Sequence, residues 1–165
     1  MSLEKAYQLI KEYYGTRRAA RSQVLLMQHI EEGLQLLQAL EANKTTQAAY
    51  CLHPFLQSDE AFVAHKESPL LEPINAAVLL LTMEYRRVAN SYLSTNKKEE
   101  FVGFSCPEVR LMLLADKVQN YKDFCQYHKG THPKTALLEE YFYNWFDLLQ
   151  IDYEDFIPLL FAPSP

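Results

Sequence analysis

The sequence predicts an all-α fold, a single compact bundle of six to eight helices spanning residues 1–165. Three observations carry this. Apolar residues recur at helical spacing in long segments, most clearly at Leu25, Leu26, Ile30, Leu34, Leu37 and Leu40. No segment alternates apolar and polar residues as a half-buried strand does. Helix stops and starts are marked by Gly15, His53-Pro54, Ser68-Pro69, Cys106-Pro107 and Gly130. The hydrophobic content of 48 % is enough for one sizeable core.

The elements follow in order. Leu3 to Tyr14 is amphipathic and ends at Gly15. A short basic connection follows, with Arg17, Arg18 and Arg21. Val24 to Ala42 is a strong helix carrying His29, with Gly33 marking close approach of a neighbour. Thr45 or Thr46 caps a third helix, Gln47 to Leu52, which ends at His53-Pro54 because a residue before proline disfavours helical geometry. Ser58 or Asp59 caps a short helix to about His65. Ser68-Pro69 opens a long helix, Leu70 to Leu93, and Ser94 to Lys98 is a polar loop. Cys106-Pro107-Glu108 starts the next helix, with proline in the first turn and an acid favoured by the helix dipole. Lys129 to Pro133 breaks the chain. Thr135 to Leu149 is rich in aromatics, Tyr153 to Phe161 is a short helix, and Ala162 to Pro165 is a tail.

Composition narrows the function classes. The net charge is −5 and no basic run stands out, so no nucleic-acid partner is expected. The longest apolar run, Ala76 to Met83, is far too short for a bilayer, so no membrane partner is expected either. The first residues lack the layout of a secretion signal. Three cysteines without C-x-x-C spacing argue against a disulfide framework and for a cytoplasmic location. There is no glycine-rich phosphate loop.

The segment Val109 to Lys122 carries the chemistry. Wound as a helix it is apolar on two sides, with Leu111, Leu114, Val118 and Tyr121 on one and Val109, Met112 and Leu113 on the other. Such a helix is central. Asp116 and Asn120 share the second side. A carboxylate aimed into apolar surroundings must be paired or must hold a metal. Lys117 or Arg110 can supply the pairing. His29 and His53 are the imidazoles that can supply the second option, and two imidazoles with a carboxylate suit a divalent transition metal such as manganese, iron or zinc.

The order and spacing of these residues resemble the HD superfamily of metal-dependent phosphohydrolases, most closely its RelA/SpoT-type branch. The resemblance runs from about Arg17 to Asn120. Its most specific piece is Leu114-Ala115-Asp116-Lys117-Val118-Gln119-Asn120, similar to that branch's Leu-Ala-Asp-(Lys/Arg)-x-x-Asn block. Arg21-Ser22 resembles the Arg-Ser segment before the first metal histidine, and Ala48 to His53 resembles the apolar run ending in the His-Asp pair. The chain departs from the pattern at that pair, which is His53-Pro54, and Gln57 and Ser58 stand where two acids are usual.

The resemblance implies an HD-like bundle in which His29, His53 and Asp116 hold a divalent metal. It implies hydrolysis of a nucleotide pyrophosphate such as (p)ppGpp. Asp59 or Glu60 would activate water, and Asn120 would orient substrate or water. Arg17, Arg18, Arg21 and Arg86 would bind phosphates. The alternatives are an HD-like module that binds a nucleotide or protein without metal, and an interaction protein that forms a homodimer through the aromatic helix.

Overall fold

The computed structural model describes residues 1–65, 74–95, 101 and 103–160. These residues form eight α-helices and one 3-10 turn. They are α1 (Leu3–Tyr14), α2 (Leu26–Ala39), α3 (Lys44–Leu56), α4 (Asp59–His65), α5 (Ala76–Thr95), α6 (Pro107–Tyr127) and α7 (Thr135–Leu149). The turn Tyr153–Phe156 and α8 (Ile157–Leu160) follow. Among the described residues the only extended pairing is a single antiparallel bridge between Arg18 and Leu25. No helix among them is long and apolar enough to cross a membrane. The all-α expectation holds.

Two helices organise the bundle. α3 packs on α1, α2, α4, α5 and α6, and α6 packs on α2, α3, α5 and α7. The two-sided apolar pattern of α6 is realised as burial all round, since every residue from Met112 to Gln119 is buried. Around them Ile10, Ile30, Leu36, Leu37, Tyr50, Phe55, Tyr85 and Trp145 close one continuous core. The aromatic helix spends Phe142, Trp145 and Phe146 on that core and leaves Tyr143 half exposed.

Several boundaries differ from the sequence reading for physical reasons. α2 starts at Leu26 rather than Val24, because residues 17–26 form a small hairpin. Ala19 N donates to the Val24 carbonyl at 2.8 Å and Leu26 N to the Arg17 carbonyl at 2.9 Å. At its other end α2 stops at Ala39, just before Glu41 takes a positive φ of 55°. α3 is capped by Asn43, whose side chain accepts from Thr46 N at 2.9 Å, not by Thr45 or Thr46.

The largest departure is at His53-Pro54, where α3 does not end but continues to Leu56. Phe55 and Leu56 are almost fully buried, and this packing outweighs the local preference of a pre-proline residue. The chain end is a 3-10 turn and a short helix rather than one helix from Tyr153. α5 starts at Ala76, after Asn75 accepts from Val78 N at 2.9 Å on its side chain, so residues 74–75 are not part of the expected helix from Leu70, and it runs on to Thr95, beyond the expected Leu93. The expected Ser68-Pro69 cap, residues 70–73 of the fifth helix, residues 96–98 of the polar loop, and the segment 161–165 lie outside the described residues.

Gly33 is required by packing. A methyl group at this buried position on α2 would overlap the hydroxyl and ring edge of Tyr50, itself fully buried on α3. Gly33→Ala is therefore expected to destabilise the protein by about 1–3 kcal/mol despite the better helix propensity of alanine. Thermal melts should show a clear fall in Tm for Gly33→Ala, whereas Gln38→Ala on the exposed face of the same helix should leave it nearly unchanged.

Candidate metal centre

Three helices deliver one residue each to a common point. His29 comes from α2, His53 from α3 and Asp116 from α6. His29 Nε2 lies 3.4 Å from His53 Nε2 and 3.4 Å from Asp116 Oδ1, and His53 Nε2 lies 3.9 Å from the same oxygen. Donors held about 2.1 Å from a tetrahedral ion stand roughly 3.4 Å apart. The triangle therefore has the dimensions of one face of a metal site. His53 and Asp116 are buried, and His29 is partly open.

Both imidazoles are fixed from behind. His29 Nδ1 donates to Gln119 Oε1 at 2.5 Å. His53 Nδ1 donates to the Tyr50 carbonyl at 2.6 Å. With Nδ1 committed as donor, the neutral form of each ring presents an Nε2 lone pair to the shared point, as metal-binding histidines do. Gln119 is held in turn, because its Nε2 donates to Glu32 Oε2 at 3.0 Å and to Asp123 Oδ2 at 2.8 Å. Lys122 Nζ closes that network on Glu32 at 2.5 and 2.6 Å and on Asp123 at 3.0 Å. The rings of Tyr50 and Tyr85 flank His53, each 4.9 Å away between centroids.

The carboxylate is compensated on both oxygens. Asp116 Oδ1 accepts from Asn120 Nδ2 at 2.9 Å, and Oδ2 lies 2.7 Å from Lys117 Nζ. Lys117 is itself buried, with its ammonium 5.0 Å from the Trp145 ring centre and 5.7 Å from that of Tyr141. Arg110, the other candidate partner, donates instead to the Leu149 carbonyl.

Burial opposes ionisation of Asp116, but Lys117 and then His29 outweigh it and hold the carboxyl far below its ordinary value. Burial also works against charging His29, yet its hydrogen bond to Asp116 and that residue's charge raise its pKa overall. His53 goes the other way: burial, reinforced by the neighbouring His29, pushes it down to about 4. His53 is thus a neutral imidazole at neutral pH, the form that ligates a metal.

The triangle forms the floor of a cavity of about 500 Å³. Its walls include Tyr14, Leu26, Phe124, Tyr141 and Phe142, and Asn120 and Asp123 extend the polar floor along α6. Pro54 and Gln57 form part of the lining, and Ala19 and Ser22 bring the small hairpin to the rim.

The remaining sequence candidates are placed as follows. The Arg17 guanidinium donates to the carbonyls of Tyr13 and Tyr14 and lies over the Tyr13 ring. Arg18 donates to the Gln23 carbonyl at 2.7 Å. Both brace the hairpin. Arg21 is exposed beside Ser22 at the rim. Arg86 pairs with Asp59 and lies over the Phe62 ring. Asp59 lines a smaller hollow with Ser58 and Asn90, which shares Pro54 and Gln57 with the lining of the main cavity. Glu60 is exposed on α4.

The sequence reading missed Gln119, Glu32, Lys122 and Asp123. One of these was accessible to it, since Asp123 stands seven residues after Asp116 and three after Asn120, on the same helix face. The Glu32 to Lys122 contact joins two helices and leaves no local pattern.

Comparison of the chain with known protein families, with curated proteins and with solved structures gives no match. The site must therefore be read from its own chemistry. Among the described residues His29, His53 and Asp116 are the one group of three such side chains whose donor atoms could hold a metal ion.

Two outcomes follow from the electrostatics. Removing the Lys117 ammonium takes the nearest cation from a buried carboxylate, so Lys117→Met should cost about 3–5 kcal/mol in urea unfolding. Excess zinc should restore part of that loss by replacing the missing positive charge. The pH dependence has a definite sign. The folded-state pKa of Asp116 lies below its ordinary 3.8. Glu32, where burial is outweighed by hydrogen bonds from Lys122, Gln28 and Gln119, lies below its ordinary 4.5. Their contribution is complete above those values and is lost as pH falls through the depressed folded ones. Tm measured from pH 7 down to about 3 should fall in the acid limb, and the fall should be shallower in Asp116→Asn and Glu32→Gln.

Proposed function

We propose that this chain is a metal-dependent phosphohydrolase of HD type acting on a nucleotide phosphate or pyrophosphate, with (p)ppGpp as one candidate substrate. The observation that carries the reading is the convergence of His29 Nε2, His53 Nε2 and Asp116 Oδ1 on one point at a cavity floor, with both Nδ1 atoms engaged behind. These are the three residues that the sequence resemblance assigns to a metal. Manganese, iron and zinc all suit two nitrogens and one carboxylate oxygen. Such an ion, when bound, supplies Lewis acidity and a water of lowered pKa.

The chain's own residues supply the rest. Gln119 and the Tyr50 carbonyl hold the imidazoles, and Asn120 holds the carboxylate. Tyr14, Tyr141 and Phe142 offer faces against which a nucleobase can stack. Asp123 lines the main cavity and is better placed as the water-orienting carboxylate than Asp59, which lines the smaller hollow, or Glu60, which is exposed on α4. Arg21, exposed and next to the cavity-lining Ser22, is the best placed of the hairpin arginines to meet a phosphate, because Arg17 and Arg18 already serve main-chain carbonyls.

A second reading has its own support. Lys117 already neutralises Asp116 at 2.7 Å, so the fold does not require a cation for charge balance. On that reading the cavity holds a nucleotide without metal.

Elemental analysis of protein purified without chelator separates the two. The hydrolase reading expects near-stoichiometric manganese, iron or zinc. The metal should be lost in His29→Ala, His53→Ala and Asp116→Ala, together with phosphate release from nucleotides. A metal-free protein that stays metal-free in excess manganese and zinc would leave the binding module.

A further inference from the structure

We propose that Pro54 is a positioning residue that sets the tautomer of His53 and so keeps its Nε2 open toward His29 and Asp116. The inference rests on the metal-site reading above and adds to it the part played by a residue that has no donor of its own.

The argument starts from helix geometry. In an α-helix the amide of residue 54 bonds the carbonyl of residue 50. Pro54 lies inside α3 and has no amide proton to give. The Tyr50 carbonyl is thereby released in the middle of the core, where a main-chain acceptor needs a donor. The side chain of the preceding residue supplies it, with His53 Nδ1 at 2.6 Å.

A neutral imidazole carries one ring proton. Once that proton is committed to Nδ1, Nε2 is a lone pair, and it is this atom that faces His29 Nε2 at 3.4 Å and Asp116 Oδ1 at 3.9 Å. With an ordinary residue at position 54 the helical amide takes one lone pair of the Tyr50 carbonyl and competes with the imidazole for it, which weakens the carbonyl's hold on the ring proton. The ring proton is then free to move to Nε2 and donate toward Asp116, which places a hydrogen where a metal ion would be held. The rings of Tyr50 and Tyr85 pack against the imidazole and hold its plane, with Nδ1 on the Tyr50 carbonyl. A proline in a helix interior is ordinarily destabilising, and its ring lines the cavity beside the histidine it serves.

Two variants restore the missing amide, Pro54→Ala and Pro54→Gly, so the test does not depend on one of them folding. Two-bond proton–nitrogen NMR of the metal-free protein reports the tautomer of each neutral histidine, with His53 identified by the signal lost in His53→Ala. Zinc affinity is measured separately by competition with a chromophoric chelator. The wild type should show His53 protonated at Nδ1. The variants should show a mixture or the Nε2 form, with zinc affinity lowered roughly tenfold to a hundredfold, as for loss of other groups that orient a ligand, and with a Tm no lower for Pro54→Ala.

Variants that keep the pure Nδ1 form overturn the proposal, as does a wild type that lacks it. A changed tautomer with unchanged zinc affinity also overturns it, because the tautomer then does not govern the site. If neither wild type nor variant binds zinc or manganese while the tautomer still moves, the positioning role stands and the metal-dependent reading fails.

Discussion

A buried carboxylate sets the terms for the rest of this structure. Asp116 is 3 % exposed in the middle of a helix that is buried all round, among Met112, Leu113, Ala115 and Val118. A lone charge there would cost several kcal/mol, so every element around it contributes compensation. Lys117 comes from the next position, and Asn120 from one turn on. α2 and α3 bring imidazoles. α7 contributes indirectly, because Trp145 and Tyr141 give the buried Lys117 ammonium aromatic faces to rest on.

The same principle repeats one turn along α6. Gln119 and Lys122 are buried polar groups, and Glu32 from α2 satisfies both. The network ends on His29 through Gln119, so a stability requirement and a positional one are met by the same bonds. Behind it, Gly33 admits the Tyr50 ring, which packs 4.9 Å from His53 and whose carbonyl receives that residue's proton. Placing all three donors on helices in a packed core gives a site more rigid than loops could give.

The cavity above this floor joins two kinds of surface. Its walls are aromatic and apolar, and its floor is polar and carries the only concentration of donor atoms suited to a cation among the described residues. The small hairpin at its rim is built from the basic segment. Two of that segment's three arginines are engaged in holding its shape, through carbonyls of α1 and of the hairpin itself. A segment that reads as a phosphate binder in sequence is thus first of all a structural brace.

What the sequence by itself determined were the properties that repeat along the chain. Helical periodicity fixed the all-α class, and the two-sided pattern of Val109 to Lys122 identified α6 as central. The cost of a carboxylate in that pattern singled out Asp116, and the residue types of His29 and His53 made them its candidate partners. Tertiary structure alone decided the matters that depend on contacts between distant residues. It chose Lys117 over Arg110, turned Asp59 toward Arg86, and linked Gln119 to Glu32 and His29. It also carried α3 through Pro54, because burial of Phe55 and Leu56 exceeds a local backbone preference and the orphaned Tyr50 carbonyl found a donor in His53. Local sequence encodes which conformation is favoured, whereas packing decides which unfavourable ones are kept.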